Sequence, residues 1–262
     1  MLRRIKADLH VHTCLSPCGE LEMSPRKIVE RVLEQHVDII AICDHNSAQN
    51  IPAVIKAACG RKVVVLPGME VCTAEEIHVL ALFDDVESVL QLQAIVYANL
   101  QGANNPDVFG LQVIANEFDE VEGYQSKLLI GATNLTVEDV VGAIHRNGGL
   151  AVAAHVDRES YSVIGQLGFI PATLRFDALE ISSRISDAEA STRFEQHQHF
   201  AFIRNSDAHV LADIGKGVSE YFLEEPSFGE IAKALNNRDG RRLCGSMDPP
   251  GRGNDSAAGA SI

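Results

Sequence analysis

No stretch of this chain approaches the roughly 20 consecutive apolar residues that a helix needs to cross a bilayer, so no membrane-spanning role is expected. The basic start Met1-Leu2-Arg3-Arg4-Ile5-Lys6 lacks the apolar region of an export signal, because Asp8 and His10 interrupt it. Basic charge is scarce as well: 22 Lys and Arg stand against 36 Asp and Glu, a formal net charge of −14. That balance argues against a generic nucleic-acid sleeve, which needs a basic surface. It leaves room for a centre that handles phosphate, since bound divalent cations reverse the local field. The six cysteines lack the spacing of a disulfide framework, and reduced thiols in a cytoplasmic protein are the expectation. Neither a Gly-rich phosphate loop nor a Ser-His-Asp pattern competes for the chemistry.

What the chain has is a core. At 262 residues and 46% apolar content it fits one α/β barrel of about 250 residues. Apolar β-type runs at Ala7–His12, Asp38–Cys43, Lys62–Leu66, Ile77–Phe83, Leu150–His155, Ala178–Ser182 and Phe200–Asn205 alternate with helical patterns. The helices open with serine or threonine caps at Ser24-Pro25, Thr136 with Asp139, and Ser227 with Glu230, and a further β-like run covers Ser219–Glu224. About seven parallel strands are expected, closed or nearly closed into a barrel. Residues 84–135 break the rhythm with a helix near Glu87–Leu100 and a hairpin of Leu111–Ala115 and Tyr124–Ile130. This insertion is expected to be either a lid or rim or a structural elaboration. One domain over residues 1–244 and a disordered tail at 245–262 complete the expectation.

Six of these stretches end in metal-ligand side chains: His10-Val11-His12, Asp44-His45, Gly68-Met69-Glu70, Ile77-His78, Ala154-His155 and Ser206-Asp207-Ala208-His209. Imidazoles and carboxylates in such groups serve zinc, manganese and iron. His10 and His12, two apart on a strand, point to one face. Asp44 alone reads equally well as a loop hydrogen-bond acceptor. Glu70 alone reads as a solvated loop residue, and His78 as a core histidine. Their shared position at strand ends, where barrel active sites form, outweighs six independent structural uses.

In order and spacing these motifs resemble the PHP (polymerase and histidinol phosphatase) family from about Ala7 to His209. The resemblance implies a distorted TIM-like (β/α)7 barrel with an inserted helix and hairpin, two or three divalent ions (Zn, Mn or Fe), and phosphoester hydrolysis by a metal-activated water. It groups His10, His12, Glu70 and Asp207 about one ion, lets Glu70 bridge to a second held with His78 and His155, and gives a third to His45 and His209. The third needs one more ligand from the loop after the first motif. Family members place Asp or His there; this chain has Pro17, Cys18 and Gly19, with Glu20 and Glu22 just beyond. Cys18 would favour zinc or iron, whereas Glu20 would keep manganese. Arg158 and Arg184 are candidate phosphate clamps, each with an alternative as a solvated loop arginine.

The expected substrate is a small phosphorylated metabolite, a nucleotide or a short oligonucleotide, with no stable nucleic-acid complex and no membrane partner. A histidinol-phosphatase-like monoesterase and a non-catalytic metal-binding module are the competing readings. An amidohydrolase barrel also begins with His-x-His, but no lysine here sits at a strand end to bridge two ions.

Overall fold

The computed structural model describes residues 1–245, so the tail expected at 245–262 lies outside the described residues apart from Gly245. The first half runs β1 (Arg3–Val11), α1 (Pro25–Glu34), β2 (Ile39–Ile42), α2 (Ile51–Ala58), β3 (Val64–Cys72) and β4 (His78–Leu82). The insertion holds α3 (Val86–Asn99), α4 (Pro106–Phe109) and a hairpin of β5 (Val113–Ala115) and β6 (Val121–Tyr124). There follow α5 (Val137–Arg146), β7 (Leu150–Ala153), α6 (Val163–Leu167), β8 (Ala178–Ile181), α7 (Asp187–Arg193) and β9 (Ala201–Arg204). The described chain ends with β10 (Ser219–Leu223), α8 (Phe228–Leu235) and β11 (Arg242–Cys244).

Nine strands form one sheet in the order β11-β10-β1-β2-β3-β4-β7-β8-β9. The seven from β1 to β9 in that order curl into a barrel. Its seam closes where the chain beyond β9 returns to β1: Val11 bridges Ala208 in parallel, and His12 N donates to Ala208 O at 3.0 Å. Lower down, β10 pairs antiparallel with Arg3–Ala7 and wedges the seam apart. The fold is therefore the distorted α/β barrel expected, closed at the end where the ligand-bearing residues lie.

Side-chain alternation sorts two apolar layers. Leu9, Ala41, Leu80, Val152, Ala178 and Ile203 share one buried cluster inside the barrel. Ile40, Ile42, Val71 and Leu179 face outward against Ile28, Val32 and Ile144 of the helices. Burying each large aliphatic side chain contributes about 1.5–3 kcal/mol, and double-sided burial explains why these strands read as continuous apolar runs.

Three expectations need correction. The strand β4 is antiparallel to both β3 and β7, not one of seven parallel strands. The link Thr73–Ile77 is a tight turn, with Thr73 N donating to Ile77 O at 2.9 Å, whereas a parallel crossover takes about a dozen residues. Strand β3 does not stop at Leu66 but continues to Cys72. Pro67 is tolerated because pairing changes partner there, from β2 (Ile42 with Pro67) to β4 (Gly68 with Leu82), so its missing N–H leaves no gap in a ladder. In the hairpin, the second strand is Val121–Tyr124 rather than Tyr124–Ile130. Of the caps, Thr136 and Asp139 form a full capping box, while Ser24 makes no side-chain cap bond. Ser227 caps through Glu230 N, but the Glu230 carboxylate turns to Arg241.

Candidate metal centre

A β-bulge in β1 aims the first two histidines. Asp8 pairs with Ile40 and Val11 with Ile42, so three steps on β1 match two on β2. Leu9 thus faces the interior and Val11 the outer layer, which puts His10 and His12 on the interior face. The extension of β3 past Pro67 carries Glu70 to the same end, fixed by Glu70 N to Asp44 O (3.1 Å) and Asn46 N to Glu70 O (2.8 Å). Because β4 runs backwards, His78 at its start lies beside Glu70, held by its N–H on Tyr161 O and stacked on the Tyr161 ring at 4.7 Å. His155 and Asp207 follow β7 and β9 with left-handed backbone, φ 29° and 50°. Such conformations cost about 1–3 kcal/mol in a non-glycine residue and recur where function fixes the chain.

These residues converge on one carboxylate. Glu70, 1% exposed, has Oε1 at 2.9 Å from His78 Nδ1, 3.3 Å from His155 Nε2 and 3.5 Å from His10 Nε2. Its Oε2 lies 3.0 Å from His45 Nδ1 and 3.4 Å from His12 Nε2, yet makes no hydrogen bond. Asp207 Oδ1 sits 3.3 and 3.2 Å from the Nε2 atoms of His10 and His12. Three sets have all their ligand atoms within 4.8 Å of one another: His10, His12, Glu70 and Asp207; His45, Glu70 and His78; and His12, His45 and His209. His155 lies outside those sets but touches Glu70, and its Nδ1 is buried without a partner. Nitrogen and oxygen donors so placed, with orphaned lone pairs among them, fit divalent cations.

The charges agree. Burial alone would raise the Glu70 carboxyl, but His78, His10 and His45 pull it well below the ordinary carboxylate range. Burial opposes protonation of His10, yet Glu180, Asp207 and Glu70 lift it well above the usual imidazole value. His12 moves the other way, lowered by burial and by the neighbouring His209.

A supporting layer escaped the sequence reading. Glu180, buried in β8, accepts from His10 Nδ1 (3.0 Å), His155 N (2.9 Å) and Asn205 Nδ2 (2.8 Å). Ser16 Oγ accepts from His12 Nδ1 (2.9 Å) and His45 N (3.1 Å) while donating to Asp44 (2.7 Å). Asp44 also takes Thr13 N and Oγ1, each at 2.7 Å, the loop role that its position allowed. Such partners fix which ring nitrogen would face a bound ion. The signal available for Glu180 was a charged residue within an otherwise apolar strand, which burial tolerates only when it is paired.

Among the other residues singled out, Arg158 reaches the centre, its Nη2 2.6 Å from Asp207 Oδ2. Arg184 is exposed, and among the described contacts its guanidinium does not join the cluster. Cys18 is exposed, and the protein around its thiol would raise it, but His45 and His209 hold it down at about 6. Glu20 is exposed, and Glu22 pairs with Lys27 at 3.3 Å. The insertion packs along the rim: Asn46 Nδ2 donates to Leu129 O and Gly131 O at 2.8 Å each, and Asn50 binds both Val113 O and Ala115 N. Among the described residues no helix is long and apolar enough to cross a membrane.

Comparison with known proteins agrees with this geometry. A family model described as PHP domain matches residues 8–166, and one described as PHP-associated matches 188–239. The 5'-3' exoribonuclease Rnm of Salmonella typhimurium is 26% identical, over 77% of this chain and 84% of that protein. A 5'-3' exoribonuclease of Haemophilus influenzae is 24% identical, over 62% of this chain and 72% of its own length. Among solved structures, the lesion-specific endonuclease PfuEndoQ of Pyrococcus furiosus superposes with a TM-score of 0.69 at 18% identity, a likeness of fold. It covers 92% of this chain, which spans only 58% of the endonuclease.

Proposed function

The chain belongs to the PHP domain family and is a metal-dependent phosphoesterase, and on that premise we propose that it hydrolyses phosphodiester bonds of short, single-stranded nucleic acid. The observation that carries the phosphoesterase chemistry is the Glu70 carboxylate, within 3.5 Å of five imidazoles. Two relatives named as exoribonucleases support the choice of substrate. The net charge of −14 favours short strands over long duplexes, whose many phosphates the surface repels.

In this reading His10, His12, Glu70 and Asp207 would hold one ion, Glu70 with His78 and His155 a second, and His45 with His209 a third. Bound divalent cations supply Lewis-acid stabilisation of the phosphoryl group and activate a water nucleophile. The chain does the rest. Glu180 accepts a hydrogen bond from His10 Nδ1, and Ser16 Oγ one from His12 Nδ1, which would leave both Nε2 lone pairs facing the centre. Arg158 holds Asp207 through Nη2, and its partly exposed guanidinium has further N–H groups that could meet a phosphate oxygen at the mouth. Residues 1–244 act here as one unit, a reading supported by a sheet that runs from Arg3 to Cys244.

The test is a direct assay of metal-loaded protein on a 5'-phosphorylated oligoribonucleotide, mononucleotides, and aryl phosphate mono- and diesters. Stepwise nucleotide release is expected, and Asp207→Asn should lower it by about a hundredfold or more. Turnover of monoesters alone would replace this reading with a histidinol-phosphatase-like monoesterase. A metal-loaded protein that cleaves none of these esters would sink it.

A further inference from the structure

We propose that Cys18 completes a thiophilic cation site with His45 and His209, so that one corner of the centre selects zinc-like ions while the Glu70–Asp207 corner takes harder ones. The loop between β1 and α1 is built to deliver this residue. Glu20 N donates to His209 O at 2.9 Å, and Gly19 N to Ser16 O at 2.9 Å. Those bonds fix the loop that carries residue 18 against the backbone of His209. Position 19 admits only glycine, because a Cβ there would lie 2.6 Å from Thr13 O. The Cys18 thiol interacts electrostatically with both His45 and His209.

Independent observations mark the same corner as a ligand site. The ring nitrogens of His12, His45 and His209 converge within 4.8 Å, and the His12 and His209 rings stack at 4.1 Å. Glu70 Oε2, an acceptor aimed into the corner, is buried and makes no hydrogen bond, although it lies 3.0 Å from His45 Nδ1. Two imidazoles and one sulfur make a donor set that favours zinc, cobalt or iron and discriminates against manganese and magnesium. The carboxylate-rich set of Glu70 and Asp207 has the opposite preference. Cys18 and Glu20 are both exposed, but among the described interactions only the Cys18 side chain engages His45 and His209, and Glu22 pairs with Lys27. The proposal rests on the metal-centre reading above but not on any particular substrate.

Cobalt spectroscopy of the full-length, chelator-stripped protein tests it without recourse to activity. Adding Co(II) should produce a sulfur-to-cobalt charge-transfer band in the near ultraviolet. Zinc should bleach that band, whereas a matched excess of manganese should not. Cys18→Ser should abolish the band and weaken zinc binding about a hundredfold, while Glu20→Gln should keep both. The other thiols give no such signal if the assignment is right. Cobalt bound with only ligand-field bands, or a band that survives in Cys18→Ser, overturns the thiolate site and leaves the rest of the centre standing. A chain that binds no cobalt overturns the metal-centre reading as well.

Discussion

Replacing Glu180 by glutamine exchanges one carboxylate oxygen for an NH2 group at the base of the centre and leaves every proposed ligand in place. The carboxylate receives only donors. Oε1 takes His10 Nδ1 at 3.0 Å and Asn205 Nδ2 at 2.8 Å; Oε2 takes His155 N at 2.9 Å and His10 Nδ1 at 3.2 Å. Glutamine keeps one acceptor and adds a donor, so either orientation sets an NH2 against another N–H. If it replaces Oε2, the His155 backbone N–H is orphaned. If it replaces Oε1, Asn205 faces a clash, and Asn205 cannot flip because its Oδ1 accepts from Leu9 N at 2.7 Å. One unsatisfied buried donor costs about 1–3 kcal/mol. For a domain of this size that lowers the melting temperature by about 2–4 °C per kcal/mol. The second effect is on the cations: without the carboxylate behind it, His10 loses tautomer control and basicity, and affinity should fall about 10–100-fold. Thermal unfolding of the metal-free protein reads the first effect and isothermal titration with manganese reads the second. A glutamine variant that melts and binds like the wild type would refute the role given to Glu180.

Three further outcomes are expected. Arg158→Ala should leave cation affinity within about threefold but lower phosphodiester turnover about a hundredfold, as measured by steady-state kinetics alongside metal titration; equal losses in both would make Arg158 a mere prop for Asp207. Gly68→Ala should destabilise the fold by about 1–3 kcal/mol in chemical denaturation, since its Cβ would stand 2.7 Å from Cys43 Sγ and 3.0 Å from Ile42 O; an unchanged midpoint contradicts the packing argument. Arg241 holds the Glu230 carboxyl down at about 2, against 4.5 for a free glutamate. The unfolded chain therefore binds that proton more tightly, so the stabilisation is complete above about pH 4.5 and fades as pH falls towards 2. The gap in stability between wild type and Glu230→Gln should narrow from about pH 5 to about pH 3, and a gap independent of pH would show that Glu230 acts through packing alone.

The strand-end histidines were legible because apolar runs announce buried strands and an imidazole closing such a run is conspicuous. The direction of β4 was not read, although the short Thr73–Ile77 link carried the information: a hydrophobic run reveals a strand but not its sense. Pro67-Gly68 looked like a strand end because proline lacks an N–H, and only the change of partner from β2 to β4 shows why it is harmless. Glu180 and Ser16 stayed hidden for a different reason. Their value lies in which imidazole they meet, and His10 and Glu180, 170 residues apart, become neighbours only through barrel closure. The bulge that turns His10 and His12 inward is likewise a property of pairing with β2, not of the residues by themselves.

The seam between β1 and the segment after β9 gives the centre a mechanical meaning. Few backbone hydrogen bonds cross it, chiefly His12 N to Ala208 O and Ala208 N to His10 O at 3.0 and 3.3 Å. His10 and His12 stand on one lip, Asp207 and His209 on the other. Cations held between them, as proposed, would act as rivets along this line of the cylinder. Stripping them should open the wall lengthwise from its upper rim, with hydrogen exchange rising first at Val11–Thr13 and Ser206–His209 while β2 and β3 stay protected. The rivets also set an order of assembly. On the proposed ligand sets, a cation would be fully gripped only once the segment after β9 has docked against β1, so ion capture would report that the cylinder has been made.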